Sequence, residues 1–214
     1  MAKELGEMLD DLREVDEITW GLYAFSRDIL KDRVPYEEKV KLTREAIQCG
    51  KNYAHRTGER FASQDPQEIA RELGLKIDTS LRPMGPERVV FALFTPPDKI
   101  TVMEEPLKPL NQEQKHKVTD VLISHEIFHY LEEENKSEIF TRTKKILLWK
   151  IGPLKNESTI NALSEIAAMA FCRELCELEL SPFALDVFLY YGYDQERAYD
   201  LYDEIMGISE KLAV

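Results

Sequence analysis

Apolar residues recur at helical spacing through the first third of the chain. Residues 15–31 and 37–61 carry them three or four positions apart, which is typical of helices that bury one face. Asp65 and Pro66 follow, and an acidic N-cap before a proline in the first turn predicts the start of another short helix. The pattern therefore predicts a helical N-terminal region over about residues 1–62, followed by a separate short helix.

Two segments after this region have the composition of β-strands. Residues 88–95 are rich in β-branched and aromatic residues, and residues 99–103 alternate between polar and apolar positions. Pro96, Pro97 and Asp98 between them favour a turn, so the sequence predicts an antiparallel hairpin. Such a hairpin either covers the core or offers its edge to an extended peptide, and the sequence leaves both roles open.

The remaining chain returns to helical patterns. The sequence predicts a long helix over residues 111–134 and another over about residues 156–178. A shorter helix is expected to begin at Ser181-Pro182 and to break at Gly192, and an amphipathic helix ends the chain. The predicted fold class is therefore α+β, mostly helical with a small antiparallel sheet, and we interpret residues 1–214 as one domain.

The composition is that of a globular protein, and it disfavours several classes of partner. The chain is 43% hydrophobic and 32% charged, and its charged first residues lack the apolar run that a signal peptide needs. A net charge of −12 opposes direct binding to nucleic acid. No stretch reaches the length of a membrane span, and three cysteines do not make a disulfide framework. We therefore expect a cytoplasmic protein with protein or peptide partners and no contact with membranes.

The strongest chemical signal is a pair of histidines inside the long predicted helix. His125, Glu126 and His129 form the pattern His-Glu-x-x-His. Four residues is slightly more than one helical turn, so both imidazoles leave the same face and can bind one metal ion. Glu126 is offset by one position and lies beside the metal, where it can accept a proton from water. The motif predicts a zinc hydrolase with two histidine ligands and Glu126 as general base.

A catalytic zinc also needs a third protein ligand. The histidine that metzincins place six residues after the motif is absent, because Asn135 stands there. A downstream glutamate is the natural substitute, and Glu165 and Glu157 are the two candidates. Glu165 is favoured because its neighbours are apolar, whereas Glu157 would also be explained as an acidic residue in the first turn of a helix.

These motifs resemble those of the ImmA/IrrE-type metallopeptidases over about residues 65–178. The resemblance rests on the order of four pieces, which are PQEIARELGL, a strand pair ending in DKITV, the histidine motif, and Glu165-x-x-Ala168-x-x-Phe171. In that family a glutamate in the last piece is the third metal ligand, so the resemblance implies Glu165 and a zincin-like domain. Members cleave helix-turn-helix repressors, which implies a specific intracellular protein substrate such as a transcriptional repressor.

The chain departs from the family pattern at two positions near these motifs. Phe128 stands where glycine is usual, and Met169 stands where asparagine or aspartate is usual. The leading interpretation is a zinc-dependent endopeptidase, because the predicted ligands and base are all present. The alternative is a non-catalytic metal-binding or protein-interaction module on the same fold. Hydrolysis of a small amide is a third interpretation, which a closed pocket would support.

Overall fold

The computed structural model describes residues 3–81 and 90–212 and shows an α+β fold dominated by helices. Its helices are α1 (Leu5–Arg13), α2 (Glu17–Ser26), α3 (Tyr36–Phe61), α4 (Pro66–Glu72), α5 (Gln112–Glu134), α6 (Phe140–Thr143), α7 (Asn161–Leu175), α8 (Ala184–Tyr193) and α9 (Gln195–Leu212). Its strands are β1 (Lys76–Ser80), β2 (Ala92–Thr95), β3 (Lys99–Met103), β4 (Lys145–Ile151) and β5 (Leu154–Thr159). The α+β class predicted from the sequence is confirmed. No helix in the described ranges is both long and apolar enough to cross a bilayer.

The short helix expected after the N-terminal region is confirmed as α4. Its first residue is Pro66, and one side-chain oxygen of Asp65 accepts hydrogen bonds from the backbone N–H groups of Gln67 and Glu68 at 2.8 and 3.3 Å. These bonds satisfy two donors that have no partner inside the helix. Gly74 has a φ of +74°, a conformation that glycine adopts without strain, and β1 begins two residues later.

The predicted hairpin is confirmed within a three-stranded sheet. β2 runs antiparallel to β3, and the sheet order is β1-β3-β2. The described part of the first strand is shorter than predicted, since β2 begins at Ala92, and Arg88 and Val89 lie outside the described residues. The sequence did not predict that β1 would pair in parallel with β3 on the other side. This arrangement places β2 at an edge of the sheet, where it contacts α5.

A second hairpin replaces part of a predicted helix. We expected a helix from about Asn156, but residues 154–159 form β5 and pair with β4, so α7 begins only at Asn161. The turn contains Gly152, whose φ of +58° allows the chain to reverse. Residues 154–157 of β5 are exposed to solvent, so this segment does not need the apolar residues at helical spacing that a buried helix has. The predicted break at Gly192 lies one residue before the end of α8.

The N-terminal helices pack directly against α7. A Cβ atom on Gly50 of α3 would lie 2.1 Å from the backbone oxygen of Ala167, so only glycine allows the two helices to approach this closely. The Asp28 side chain, after α2, accepts a 2.7 Å hydrogen bond from the backbone N–H of Ala162 in the first turn of α7. A carboxylate at this end of a helix also interacts favourably with its dipole. The N-terminal region therefore fixes the position of α7.

Candidate metal centre

Three side chains from two packed helices converge on one point. α5 presents His125 and His129, whose Nε2 atoms lie 2.9 Å apart. Glu165 of α7 places Oε2 at 3.6 Å from Nε2 of His125 and Oε1 at 3.8 Å from Nε2 of His129. Within the described ranges this is the one group of three or more metal-ligating side chains whose ligand atoms all lie within 4.8 Å of one another. The structure therefore brings together the three residues that the sequence singled out as metal ligands.

The separations between these atoms suit a small tetrahedral cation. Zinc bonds of about 2.0–2.2 Å at tetrahedral angles place neighbouring ligand atoms roughly 3.3–3.6 Å apart. The observed separations of 2.9, 3.6 and 3.8 Å lie on both sides of that range. Two imidazole nitrogens 2.9 Å apart would also repel each other through their lone pairs unless a proton or a cation lay between them. The three donor atoms are therefore close enough together to hold one metal ion.

The centre is open to solvent on the side of α7. The two imidazoles are mostly buried, with 15% and 19% of each side chain exposed, whereas the Glu165 side chain is 44% exposed. A site of this kind can be reached from outside without rearrangement of the core. A closed pocket would have supported hydrolysis of a small amide, but the exposed fraction of the Glu165 side chain indicates an open site.

Glu157 and the other histidines lie elsewhere. Glu157 stands on β5, and its carboxylate pairs with Lys155 at 3.0 Å. His55 and His116 are both largely exposed, and each lies beside a carboxylate on its own part of the surface. Glu157, which the sequence had left as an alternative third ligand, is therefore not placed with the histidine pair. Glu165, which the sequence analysis favoured, is the glutamate that lies with the histidine pair, and its role as a metal ligand stays a prediction.

Glu126 lies beside the centre and is held by the edge strand of the sheet. It is 5% exposed, and its Oε2 accepts a 2.5 Å hydrogen bond from the backbone N–H of Phe94 in β2. Burial raises the pKa of Glu126 to about 7, although the nearby His129 and the Phe94 amide oppose the shift. The Phe94 amide was not identified from the sequence, because it depends on how β2 packs across α5. The contact fixes the orientation of this carboxylate.

A second buried glutamate, which the sequence analysis missed, supports His129. Glu132 is fully buried, accepts hydrogen bonds from the hydroxyl groups of Thr141 and Ser164, and forms an ion pair with Arg142 at 2.8 Å. Its Oε2 lies 3.6 Å from Nδ1 of His129. Burial alone would raise its pKa, but these partners and His129 outweigh burial and lower it. An ionised carboxylate here favours a proton on Nδ1, which leaves the Nε2 lone pair free for a metal.

The two histidines have different surroundings. Burial and the neighbouring His129 lower the pKa of His125 well below its usual value, which keeps this imidazole neutral. Its Nδ1 is buried without a hydrogen-bond partner in the part of the chain that the structure describes. Burial also acts to lower the pKa of His129, but the Glu132 carboxylate 3.6 Å from its Nδ1 and the other nearby acidic groups outweigh burial and raise the pKa. Among the described residues, a carboxylate therefore lies beside Nδ1 of His129 but not beside Nδ1 of His125.

The sequence did contain a signal for Glu132. An acidic residue three positions after His129 lies on the same helical face and can reach the imidazole. The other three members of the cluster, Thr141, Arg142 and Ser164, follow Glu132 in the chain by 9, 10 and 32 residues, and only the fold brings them next to it. Such a network cannot be assembled from spacing alone.

Replacing Glu132 with glutamine should weaken zinc binding by about tenfold, within the 10–100-fold range of supporting residues. Thr141 donates to Oε1 and Ser164 to Oε2, so the amide keeps an oxygen for one of these hydroxyls and removes the charge that favours a proton on Nδ1 of His129. Zinc affinity is measured by competition with a chromophoric chelator. Glu133→Gln is the matched control, because Glu133 is the next residue on α5 and pairs with Lys136 at the surface. Equal affinities for Glu132→Gln and the wild type would remove Glu132 from this role.

Phe128 and Met169, the two residues that differ from the pattern of the ImmA/IrrE-type family, pack in or against the core. Phe128 is fully buried, and its ring lies 5.7 Å from that of Phe171 and 6.1 Å from that of Tyr53. Met169 is partly buried and packs against the same core. Neither side chain is one of the converging groups of the centre. Phe128 fills a volume that glycine would leave empty, so its role in this chain is packing.

Comparison of the chain with family models, with curated proteins and with solved structures finds no match. The function is therefore inferred from the chain's own residues and their geometry. Those are the three converging ligand atoms, the buried base beside them and the carboxylate that supports His129.

Proposed function

We propose that the chain is a zinc-dependent metallopeptidase that cleaves a specific protein. The observation that carries the proposal is the convergence of His125, His129 and Glu165, with Glu126 buried beside them. Two imidazoles and one carboxylate form a donor set used by catalytic zinc in peptidases, and they leave a coordination position for water. The His-Glu-x-x-His motif and the resemblance to ImmA/IrrE-type enzymes support the same conclusion, including the zincin-like character of the domain.

The residues of the chain have distinct roles in the proposed reaction. Zinc, when bound by the three ligands, would polarise the scissile carbonyl and make water more acidic. Glu126 accepts the proton from the attacking water and returns it to the departing amine nitrogen. Because the Phe94 amide holds one of its oxygens, the carboxylate is oriented before substrate arrives. Glu132 keeps His129 in the tautomer that binds through Nε2.

An extended peptide is the substrate class that the surroundings favour. β2 is one of the two edge strands of its sheet in the described ranges, and it lies against α5 at Glu126. An edge strand offers backbone hydrogen bonds to an extended chain, whatever its sequence. The exposed side of the centre at Glu165 admits a polymer more readily than a closed pocket would. We propose an intracellular protein, such as a transcriptional repressor, as the substrate, and the repressor class comes from the family resemblance alone.

The proposal is tested with a peptide library made by digesting a bacterial proteome. The zinc-loaded protein is incubated with the library, and new peptide ends are identified by mass spectrometry. We expect a defined set of cleavages that disappears when a chelator removes the metal and returns when zinc is added, because the proposed reaction needs the metal. Cleavage that continues at the same sites after complete metal removal would contradict the proposal.

A further inference from the structure

The β4–β5 hairpin exposes several large apolar side chains at a distance from the core. Leu147, Trp149, Ile151 and Leu154 are 53%, 47%, 72% and 65% exposed. Single exposed apolar residues are common on proteins, but a group of four within one short hairpin is a feature of binding surfaces. None of the four belongs to the metal centre.

A β-bulge in β4 sorts the side chains of the hairpin into two faces. The register shifts between Leu147 and Trp149, so that Lys150 lies opposite Lys155 and Ile151 lies opposite Leu154. Cross-strand partners share a face, and neighbouring residues along a strand alternate between faces. Trp149, Ile151 and Leu154 therefore form an apolar face, while the lysine pair belongs to the opposite, basic face.

The outer edge of β4 is available for another strand. Neither β4 nor β5 pairs with a further strand in the ranges that the structure describes. Unpaired backbone groups along an edge are a template for strand addition, and a two-stranded hairpin is marginally stable without such support. β4 carries Lys145 and Lys150 and no acidic residue, whereas β5 carries one lysine, Lys155, that is paired with Glu157. The edge of β4 is therefore the more positive.

The charge of this segment is opposite to that of the chain. Residues 142–155 contain five cationic side chains and no acidic one, although the net charge of the whole chain is −12. Three of the five already have carboxylate partners, since Arg142, Lys144 and Lys155 pair with Glu132, Glu38 and Glu157. Lys145 and Lys150, both on β4, have no ion pair within the described ranges, and Lys150 also lies opposite another lysine, Lys155. The segment is therefore suited to an acidic partner.

We propose that the outer edge of β4 binds an extended segment of a partner protein whose residues alternate between apolar and acidic. Such a segment adds a third strand to the hairpin through backbone hydrogen bonds. Its apolar side chains pack beside Trp149 and Ile151 on one face, and its acidic side chains meet Lys145 and Lys150 on the other. This proposal does not depend on the proposed peptidase activity, because none of these residues belongs to the metal centre.

Two other occupants fit the hairpin less well. A second copy joined edge to edge would bring the lysines of two β4 strands together, which is unfavourable. A bilayer in contact with the apolar face would leave Lys150 and Lys155 pointing away from anionic headgroups. A strand that alternates apolar and acidic residues places apolar side chains beside the apolar face and carboxylates beside the lysines of the other face.

Tryptophan fluorescence gives a direct test of the proposal. The chain has two tryptophans, and Trp149 is 47% exposed whereas Trp20 is 3% exposed, so a ligand on the hairpin changes mainly the Trp149 signal. A synthetic peptide that alternates valine and glutamate is titrated into the full chain, with and without zinc. We expect a saturable blue shift in both cases, and none with a peptide that alternates valine and lysine.

Matched variants locate the binding site. Ile151→Ser should weaken binding by about tenfold or more, because an isoleucine side chain loses its apolar contact with the peptide. Ile29→Ser is the control, since Ile29 is 91% exposed and lies outside the hairpin. Lys150→Glu should weaken binding of the glutamate peptide and strengthen binding of the lysine peptide. Circular dichroism verifies that each variant is folded.

Several outcomes would overturn the proposal. They are a glutamate peptide that does not shift the Trp149 emission, and binding that Ile151→Ser leaves unchanged. A shift produced by phosphatidylglycerol vesicles but not by the peptide would assign the hairpin to membranes instead. A concentration-dependent dimer that Ile151→Ser abolishes, without peptide binding, would assign it to a second copy.

Discussion

Glu126→Gln should retain zinc and cleave about 10²–10⁴-fold more slowly than the wild type. Glutamine keeps an oxygen that can accept the hydrogen bond from the Phe94 amide, so the side chain can stay in place. An amide cannot take the proton from the attacking water, so the general-base contribution is lost. The ligand set of His125, His129 and Glu165 is unchanged, and zinc content should therefore remain at the level of the wild type.

Turnover of Glu126→Gln is measured on the fastest-cleaved peptide from the library, at equal zinc content. Glu113→Gln is the matched control, because Glu113 lies on the same helix with an exposed side chain. Equal rates for Glu126→Gln and the wild type would remove Glu126 from the mechanism. If neither protein cleaves any peptide, while both bind zinc and a protein partner, the non-catalytic interaction module becomes the better interpretation.

Removing one proposed ligand should lower zinc affinity by roughly 10²–10³-fold, since three or four ligands share about 10–16 kcal/mol of binding in structural sites. We expect this loss for His125→Ala, His129→Ala and Glu165→Ala. Glu157→Ala should bind zinc like the wild type, because Glu157 is on β5 and pairs with Lys155. The contrast between the two glutamates is the direct test of the third ligand.

Metal content after dialysis, measured by plasma mass spectrometry, and chelator competition provide the measurement. Glu157→Ala is the matched control for Glu165→Ala, because the same side chain is truncated in both. If Glu165→Ala retained zinc fully and Glu157→Ala lost it, Glu157 would be the third ligand. The structure around β5 and the start of α7 would then have to differ from the one described. Retention by both histidine variants would show that zinc does not bind at this centre.

Sequence periodicity was sufficient for the elements whose signals are local. α4 begins after Asp65, α5 spans the predicted range, and the Pro96–Asp98 turn joins two strands as expected. In each case a cap, a helical repeat or a turn dictates the conformation of the residues that carry the signal. The spacing of His125 and His129 is of the same kind, because one helical turn sets their proximity.

Features that depend on distant parts of the chain were not predictable in this way. The β4–β5 hairpin was missed because most of its large apolar residues (Leu147, Trp149, Ile151 and Leu154) are exposed to solvent, so burial does not impose a simple alternation on them. The cluster around Glu132 and the Phe94 amide depend on packing between elements that are far apart in sequence. The choice between Glu165 and Glu157 also needed the fold, since it depends on where α7 begins.

Because α2 and α3 contact α7, the segments that carry the proposed zinc ligands cannot be expected to form the metal centre without the N-terminal helices. The side chain of Asp28 caps the helix that carries Glu165, and Gly50 allows α3 to lie against its backbone. A truncated protein that starts at α4 would keep every proposed zinc ligand in its sequence. It would nevertheless lose the two contacts that hold the third ligand in register with the histidines. Grafting the motif onto another scaffold would therefore require these supporting contacts to be rebuilt as well.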